Sequence, residues 1–200
     1  QTKLAGRSLW WPIAAGNKKS ITLNLRTPEG QEIIKQLVKD ADVLLENFRP
    51  GTMEKWGLGY DVLSEINPKL IMVRVSGYGQ TGPYSYKAGY ASVGEAMGGL
   101  RYVMGYPDRP PSRAGISIGD TLAATYACLG TMMALHHRDK TGRGQVVDSA
   151  IYEAVFAMME SLITEYQVSG YIRERTGAIL PKVAPSNIYN TSDGMVIIGA

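Results

Sequence analysis

Asp120 is the residue in this sequence best placed to do chemistry. It follows Gly119 and opens a long apolar stretch. A carboxylate at such a point can attack an activated acyl group and form a covalent intermediate. Gly119 would let a substrate come close. The positive end of the following helix would keep Asp120 ionised and could steady developing oxyanion charge. A purely structural role fits the same residue, because Asp is a favoured helix N-cap, worth about 1 kcal/mol.

Other candidates carry plainer readings. Gly77-Tyr-Gly79-Gln-Thr-Gly82 has the GxGxxG spacing and follows a strand-like run. A dinucleotide-binding fingerprint must open a helix, whereas Pro83 and Tyr84 follow here. The segment reads as a loop at a strand end, which in an open α/β sheet is also where ligands bind. Lys18, Lys19, Arg26, Arg49, Lys55 and Lys87 flank or follow the expected strands, where a phosphate-bearing ligand would find them. His136 and His137 fall near a helix end beside Arg138, as cations complementing the dipole. Cys128, Met132, Met133, Met158 and Met159 read as helix core residues.

These residues must be held by a scaffold, and its pattern alternates. Ile21, Leu23 and Leu25 predict a half-buried strand. Thr27-Pro28-Glu29 is a helix start, with a capping hydroxyl, a proline at the first position and an acid in the first turn. Val43–Leu45 and Leu70–Val75 predict buried strands, with short helices at 52–56 and 61–66 between them. Strand–helix–strand alternation implies an α/β fold with parallel strands. Residues 77–89 and 101–118 read as long loops, and loops of that length usually serve a function. Helices are expected over about 90–100, 120–138 and 151–168, a strand over 145–148, and a hairpin around the Ser192-Asp193-Gly194 turn.

Composition narrows the classes. The chain has 200 residues, 44% hydrophobic and 20% charged, which excludes a disordered or low-complexity protein. With 21 basic and 18 acidic residues the net charge is +3, too balanced to point to nucleic acid. One cysteine allows no internal disulfide and no multi-Cys zinc site, and a reducing compartment is the natural setting. The most apolar run, 121–135, is shorter than the ~20 residues of a membrane span. The chain opens on Gln1, without a signal-peptide pattern, and stops at Ala200 inside an apparent strand. It therefore reads as a piece of a longer one.

Taken as a set, several motifs resemble those of the family III CoA-transferases (the CaiB/BaiF group). They are Asn17-Lys-Lys-Ser-Ile, Thr27-Pro-Glu-Gly, Asp42-Val-Leu-Leu-Glu-Asn-Phe-Arg-Pro-Gly51, Gly57-Leu-Gly-Tyr60, Ser76-Gly-Tyr-Gly-Gln-Thr-Gly-Pro83, Gly89-Tyr90, Gly119-Asp120 and Lys140-Thr-Gly-Arg-Gly144. The resemblance implies a Rossmann-like large domain, here residues 1–184 without its first strand, and the start of a smaller α+β domain at 185–200. It implies an interlocked homodimer in the cytoplasm, and a CoA-transferase that uses acyl-CoA and a small carboxylic acid as substrates. No tightly bound cofactor, metal, nucleic acid or membrane is expected. Asp120 matches the family's catalytic aspartate, which would form an aspartyl anhydride and then a thioester. Leu23, Leu25, Arg26, Asn47, Phe48, Lys55, Lys87 and Tyr90 match CoA-binding positions. Acyl-CoA racemases of the same group carry a His where Tyr90 stands, so half of their acid/base pair is missing. A CoA-binding protein without turnover is the remaining alternative.

Overall fold

A computed structural model of the chain describes residues 2–199. A small antiparallel ribbon, β1 (Lys3–Leu4) with β2 (Arg7–Ser8), leads into the short helix α1 (Trp10–Ala14). The expected strand at Ile21–Leu25 is absent. The alternation survives in burial, with Leu23 and Leu25 half-buried and Ile21 exposed. A strand exists only through a neighbour's hydrogen bonds, and no described strand pairs with this segment. Instead the chain turns sharply at Asn24, whose carbonyl accepts from the Thr27 amide at 3.3 Å, and Leu25 packs beside α2 (Pro28–Val38). That helix starts as its sequence predicts: Thr27 caps the Gly30 amide, Pro28 takes the first position and Glu29 sits in the first turn.

The centre is a parallel sheet in the order β3 (Val43–Glu46), β4 (Ile71–Ser76), β5 (Val146–Ala150). Central β4 is covered on both faces, as parallel strands normally are. Met72 points into a core of Val38, Met53, Leu58, Leu63 and Leu70, built with α2, α3 (Thr52–Lys55) and α4 (Tyr60–Ile66). Its neighbours Ile71 and Val73 point the other way, onto Ala127 and Ala134. Leu58, Leu63 and Leu70 are sealed from solvent, each contributing about 1.5–3 kcal/mol.

The other face belongs to α7 (Ile118–Thr141), which lays its alanines along β4 and β5. At 24 residues it outruns the expected helix. By length and composition alone it could cross a membrane, yet here it packs on the sheet and carries Asp120, Arg138 and Lys140. Its outer face is apolar and uncovered. Met132 and Met133 are exposed, as are Cys128 on α7 and Met158 further along, so four of the five expected core residues lie outside; Met159 alone is buried. Helical spacing identifies an apolar face but not what covers it.

The helix expected over 90–100 is broken into α5 (Ala91–Met97) and α6 (Leu100–Val103) at Gly98-Gly99, where Gly99 turns to φ +96°. That over 151–168 is split into α8 (Ile151–Phe156) and α9 (Leu162–Ser169). The chain ends in the antiparallel hairpin β6 (Ser186–Asn190) and β7 (Met195–Gly199), closed by the Thr191 amide on the Gly194 carbonyl.

Candidate active site

The carboxyl ends of β3, β4 and β5 lie together, and the segments that follow them enclose a cleft of about 420 Å³. Asn47, Phe48, Arg49 and Pro50 after β3 form one wall. Ser76 and Gly77 at the end of β4, with Lys87–Tyr90 further along, form another. Asp120 from α7 and Ile151 from α8 close the base.

Each wall is fixed by contacts the chain makes elsewhere. Phe48 donates its amide to Glu46 Oε2 at 2.7 Å, and Glu46 Oε1 accepts from Arg74 Nε at 2.7 Å. The fork of Arg74 then grips Glu54, at 2.6 and 3.2 Å. Those bonds hold the Glu54 carboxyl below its ordinary value. Phe48 rests edge-on against Trp56, ring centroids 5.0 Å apart. So an ion network, buried at Glu46 and Arg74 and open to solvent at Glu54, shapes the turn from β3 into α3.

The glycine-rich loop is pinned as firmly. No helix opens on Gly77–Gly82; the chain stays irregular until α5 begins at Ala91. Gly79, at φ +83°, donates to Ser76 Oγ, and Gln80 donates to Asp148 Oδ2 at 2.7 Å. Gly77 and Gly89 touch backbone to backbone, leaving no room for a Cβ on either. Lys87 lies over the Tyr84 ring, its Nζ 3.8 Å from the centroid. Tyr90 sits at the start of α5, exposed, and its carbonyl accepts from Val93 and Gly94.

Asp120 corrects one expectation. It is the third residue of α7, not its cap; Ser117 holds that position. Gly119 is buried and closely packed: a Cβ there would stand 3.2 Å from the Ala91 carbonyl oxygen and from Ile151 Cγ2. The environment also raises the Asp120 carboxyl above its ordinary value, opposing the helix dipole. The main cause is loss of solvent around the helix start, and the negative charge of Glu95 adds to it.

Of the nine residues singled out from sequence, five line this cleft: Asn47, Phe48, Lys87, Tyr90 and Asp120. Leu23, Leu25, Arg26 and Lys55 do not. Leu23 and Leu25 lie half-buried before α2, with Arg26 exposed beside them, and Lys55 is exposed at the end of α3. Ser76 and Ile151 line the cleft without having been assigned to it, and Arg49, expected only as one of the cations that follow the strands, lines it too. Arg49 lies inside the Asn-Phe-Arg-Pro-Gly motif, so a signal was present; Ile151 was visible only through the fold.

Charge separates this cleft from a larger hollow of about 520 Å³ at the opposite end of the sheet. There Arg138 is already paired with Asp42, at 2.8 Å. Here Asp120 is the one carboxylate on the wall, and neither Arg49 nor Lys87 forms an ion pair among the described residues. The described residues contain no group of three His, Cys, Asp or Glu side chains arranged to hold a metal.

The model of CoA-transferase family III matches residues 1–200. The chain is 66% identical over 196 residues to the succinyl-CoA–D-citramalate CoA-transferase of Chloroflexus aurantiacus, covering 98% of this chain and 49% of that protein. It is 48% identical to the beta subunit of the succinyl-CoA–L-malate CoA-transferase of the same organism, covering 94% and 47%. A CaiB/BaiF family protein from Brucella suis superposes with a TM-score of 0.84 at 38% identity, over 91% of this chain and 48% of that one. The chain thus spans about half the length of the relatives it matches, and it belongs to CoA-transferase family III.

Proposed function

We propose that the whole protein moves CoA from succinyl-CoA to a short hydroxydicarboxylate. The observation that carries this is Asp120 facing a cleft whose other charges are Arg49 and Lys87, neither in an ion pair among the described residues. The names of the relatives support the substrates: one takes citramalate and another malate, both with succinyl-CoA.

The mechanism follows from a carboxylate that meets a thioester. An Asp120 oxygen attacks the succinyl carbonyl; the C–S bond breaks and its electron pair leaves with sulfur as CoA thiolate. The thiolate attacks the aspartyl carbonyl of the resulting anhydride and expels succinate, leaving CoA on Asp120 as a thioester. The acceptor carboxylate displaces CoA to form a second anhydride. Thiolate then attacks the acceptor carbonyl, which releases the new thioester and restores Asp120. Each step exchanges one acyl link for another, so no ATP or resident cofactor is required. The protein's task is orientation and exclusion of water.

Asn47, Phe48, Lys87 and Tyr90 are proposed to hold CoA and the acyl chain. Leu23, Leu25, Arg26 and Lys55 are proposed to reach the adenine and phosphate end outside the cleft. The same reading includes an interlocked homodimer in the cytoplasm and a smaller domain beginning with the β6–β7 hairpin. Racemase chemistry is disfavoured, since Tyr90 stands where a His would supply the second acid/base. The test is to incubate the full-length protein with succinyl-CoA and a panel of carboxylic acids and to identify new thioesters by mass spectrometry. Citramalyl-CoA or malyl-CoA is expected. Absence of any exchange would defeat the reading.

A further inference from the structure

Glu95 on α5 is sealed from solvent. Its Oε2 accepts from Arg101 Nε at 2.7 Å, while the buried Oε1 finds no hydrogen-bond partner among the described residues. A carboxylate buried with one oxygen unsatisfied costs stability, and an apolar side chain of similar volume would hold the helix as well or better. Packing alone therefore does not account for it.

Its position does. Helices α5 and α7 meet where the Ala91 carbonyl presses on Gly119. Glu95 lies one turn beyond Ala91 on the same side of α5, and Asp120 directly follows Gly119. The two carboxylates thus flank a single helix contact, and the charge of Glu95 reaches Asp120. The cleft walls around Asp120 also carry Arg49, Lys87 and Tyr90, Arg101 lies behind Glu95, and α8, packed on α7, carries Tyr152 and Glu153.

We propose that Glu95 is a positioning residue for Asp120: its fixed charge, anchored by Arg101, makes the ionised nucleophile better able to pass its charge outward to the substrate. This rests on Asp120 being the nucleophile. Before attack, the negative charges of Glu95 and Asp120 repel each other. As the new C–O bond forms and the C–S bond breaks, the negative charge moves from Asp120 to sulfur, away from Glu95 and toward Arg49 and Lys87. The repulsion is larger in the ground state than in the transition state, so it accelerates the chemical step without tightening substrate binding.

The test uses the full-length protein labelled with ¹³C-carboxyl aspartate, the Asp120 signal being assigned by its loss in Asp120→Asn. In Glu95→Gln, Asp120 is expected to titrate at lower pH than in the wild type. Its kcat should fall roughly tenfold, the scale of one like-charge interaction in a protein environment. The acid limb of the rate profile should move the same way, with KM for succinyl-CoA unchanged. Glu95→Asp should restore the wild-type titration. Glu95→Met, apolar and of similar volume, supplies the same neutral test if the amide variant does not fold. An Asp120 titration unmoved in either folded neutral variant overturns the proposal, as does a loss of rate carried by KM alone. The titration needs no turnover, so a wild type without exchange would defeat the nucleophile reading separately.

Discussion

Arg74 Nε and Glu46 Oε1 meet at 2.7 Å inside the sheet, both side chains less than a tenth exposed. They face each other across neighbouring parallel strands, in register at Glu46 and Arg74. Through Glu46 the pair also fixes the Phe48 amide and hence the wall of the cleft. Removing one partner strands a buried charge. Arg74→Met should therefore destabilise the full-length protein by about 3–5 kcal/mol in chemical denaturation. A loss within the range of an exposed pair, below about 1 kcal/mol, would show that the network is not what holds the wall.

The back-to-back contact of Gly77 and Gly89 predicts a second effect. Gly89→Ala places a methyl against the Gly77 backbone and the Tyr78 ring, so the glycine loop must shift. Stability should fall by about 1–3 kcal/mol, and succinyl-CoA should bind more weakly because Lys87 and Tyr90 ride on the same loop. Unchanged affinity, measured by calorimetry, would separate the loop from the binding site.

Asp120 carries a sign that can be checked. Its carboxyl is raised in the folded state, chiefly by desolvation and then by Glu95. Ionising it therefore works against folding as pH climbs from the ordinary value of 3.8 through the raised one, and the cost is complete above that. Asp120→Asn should be more stable than wild type at neutral pH, and the difference should vanish below pH 3.8. Thermal denaturation of both proteins across pH 3 to 8 checks this, and a variant less stable at neutral pH would contradict it.

Glu165 behaves oppositely. The Ser161 hydroxyl, then Arg173 and Lys182, hold its carboxyl down to about 2 from an ordinary 4.5. Its contribution is present above pH 4.5 and is lost as pH falls toward 2. The stability gap between wild type and Glu165→Gln should narrow over that acid range. A gap independent of pH would mean that the hydroxyl and cations around Glu165 do not act through its charge.

Much of the scaffold was legible because it rests on local rules. The Thr27-Pro28 helix start, the apolar runs of β3 and β4 and the hairpin turn all state their own conformation. Asp120 stood out through its glycine and the helix behind it. What escaped is what depends on distant partners. Ile21–Leu25 has a strand's alternation, but a strand needs a neighbour, and the pattern cannot supply one. Met132 and Met133 have core spacing on α7, but spacing does not say whether their face is covered. Arg74 and Glu46 meet only after the sheet is assembled, and the charge of Glu95 bears on Asp120 only once α5 packs on α7. Their separations in sequence carry no signal of either.

Asp120 is proposed to bond covalently to the acyl groups that it exchanges. In the proposed sequence the oxygen bridging Asp120 to the acceptor stays with Asp120 when thiolate releases the new thioester. A turnover of the full-length protein with succinyl-CoA and ¹⁸O-carboxylate acceptor should therefore leave heavy oxygen in the peptide containing Asp120, read by mass spectrometry after digestion. Formation of the new thioester with no label in that peptide would contradict the account.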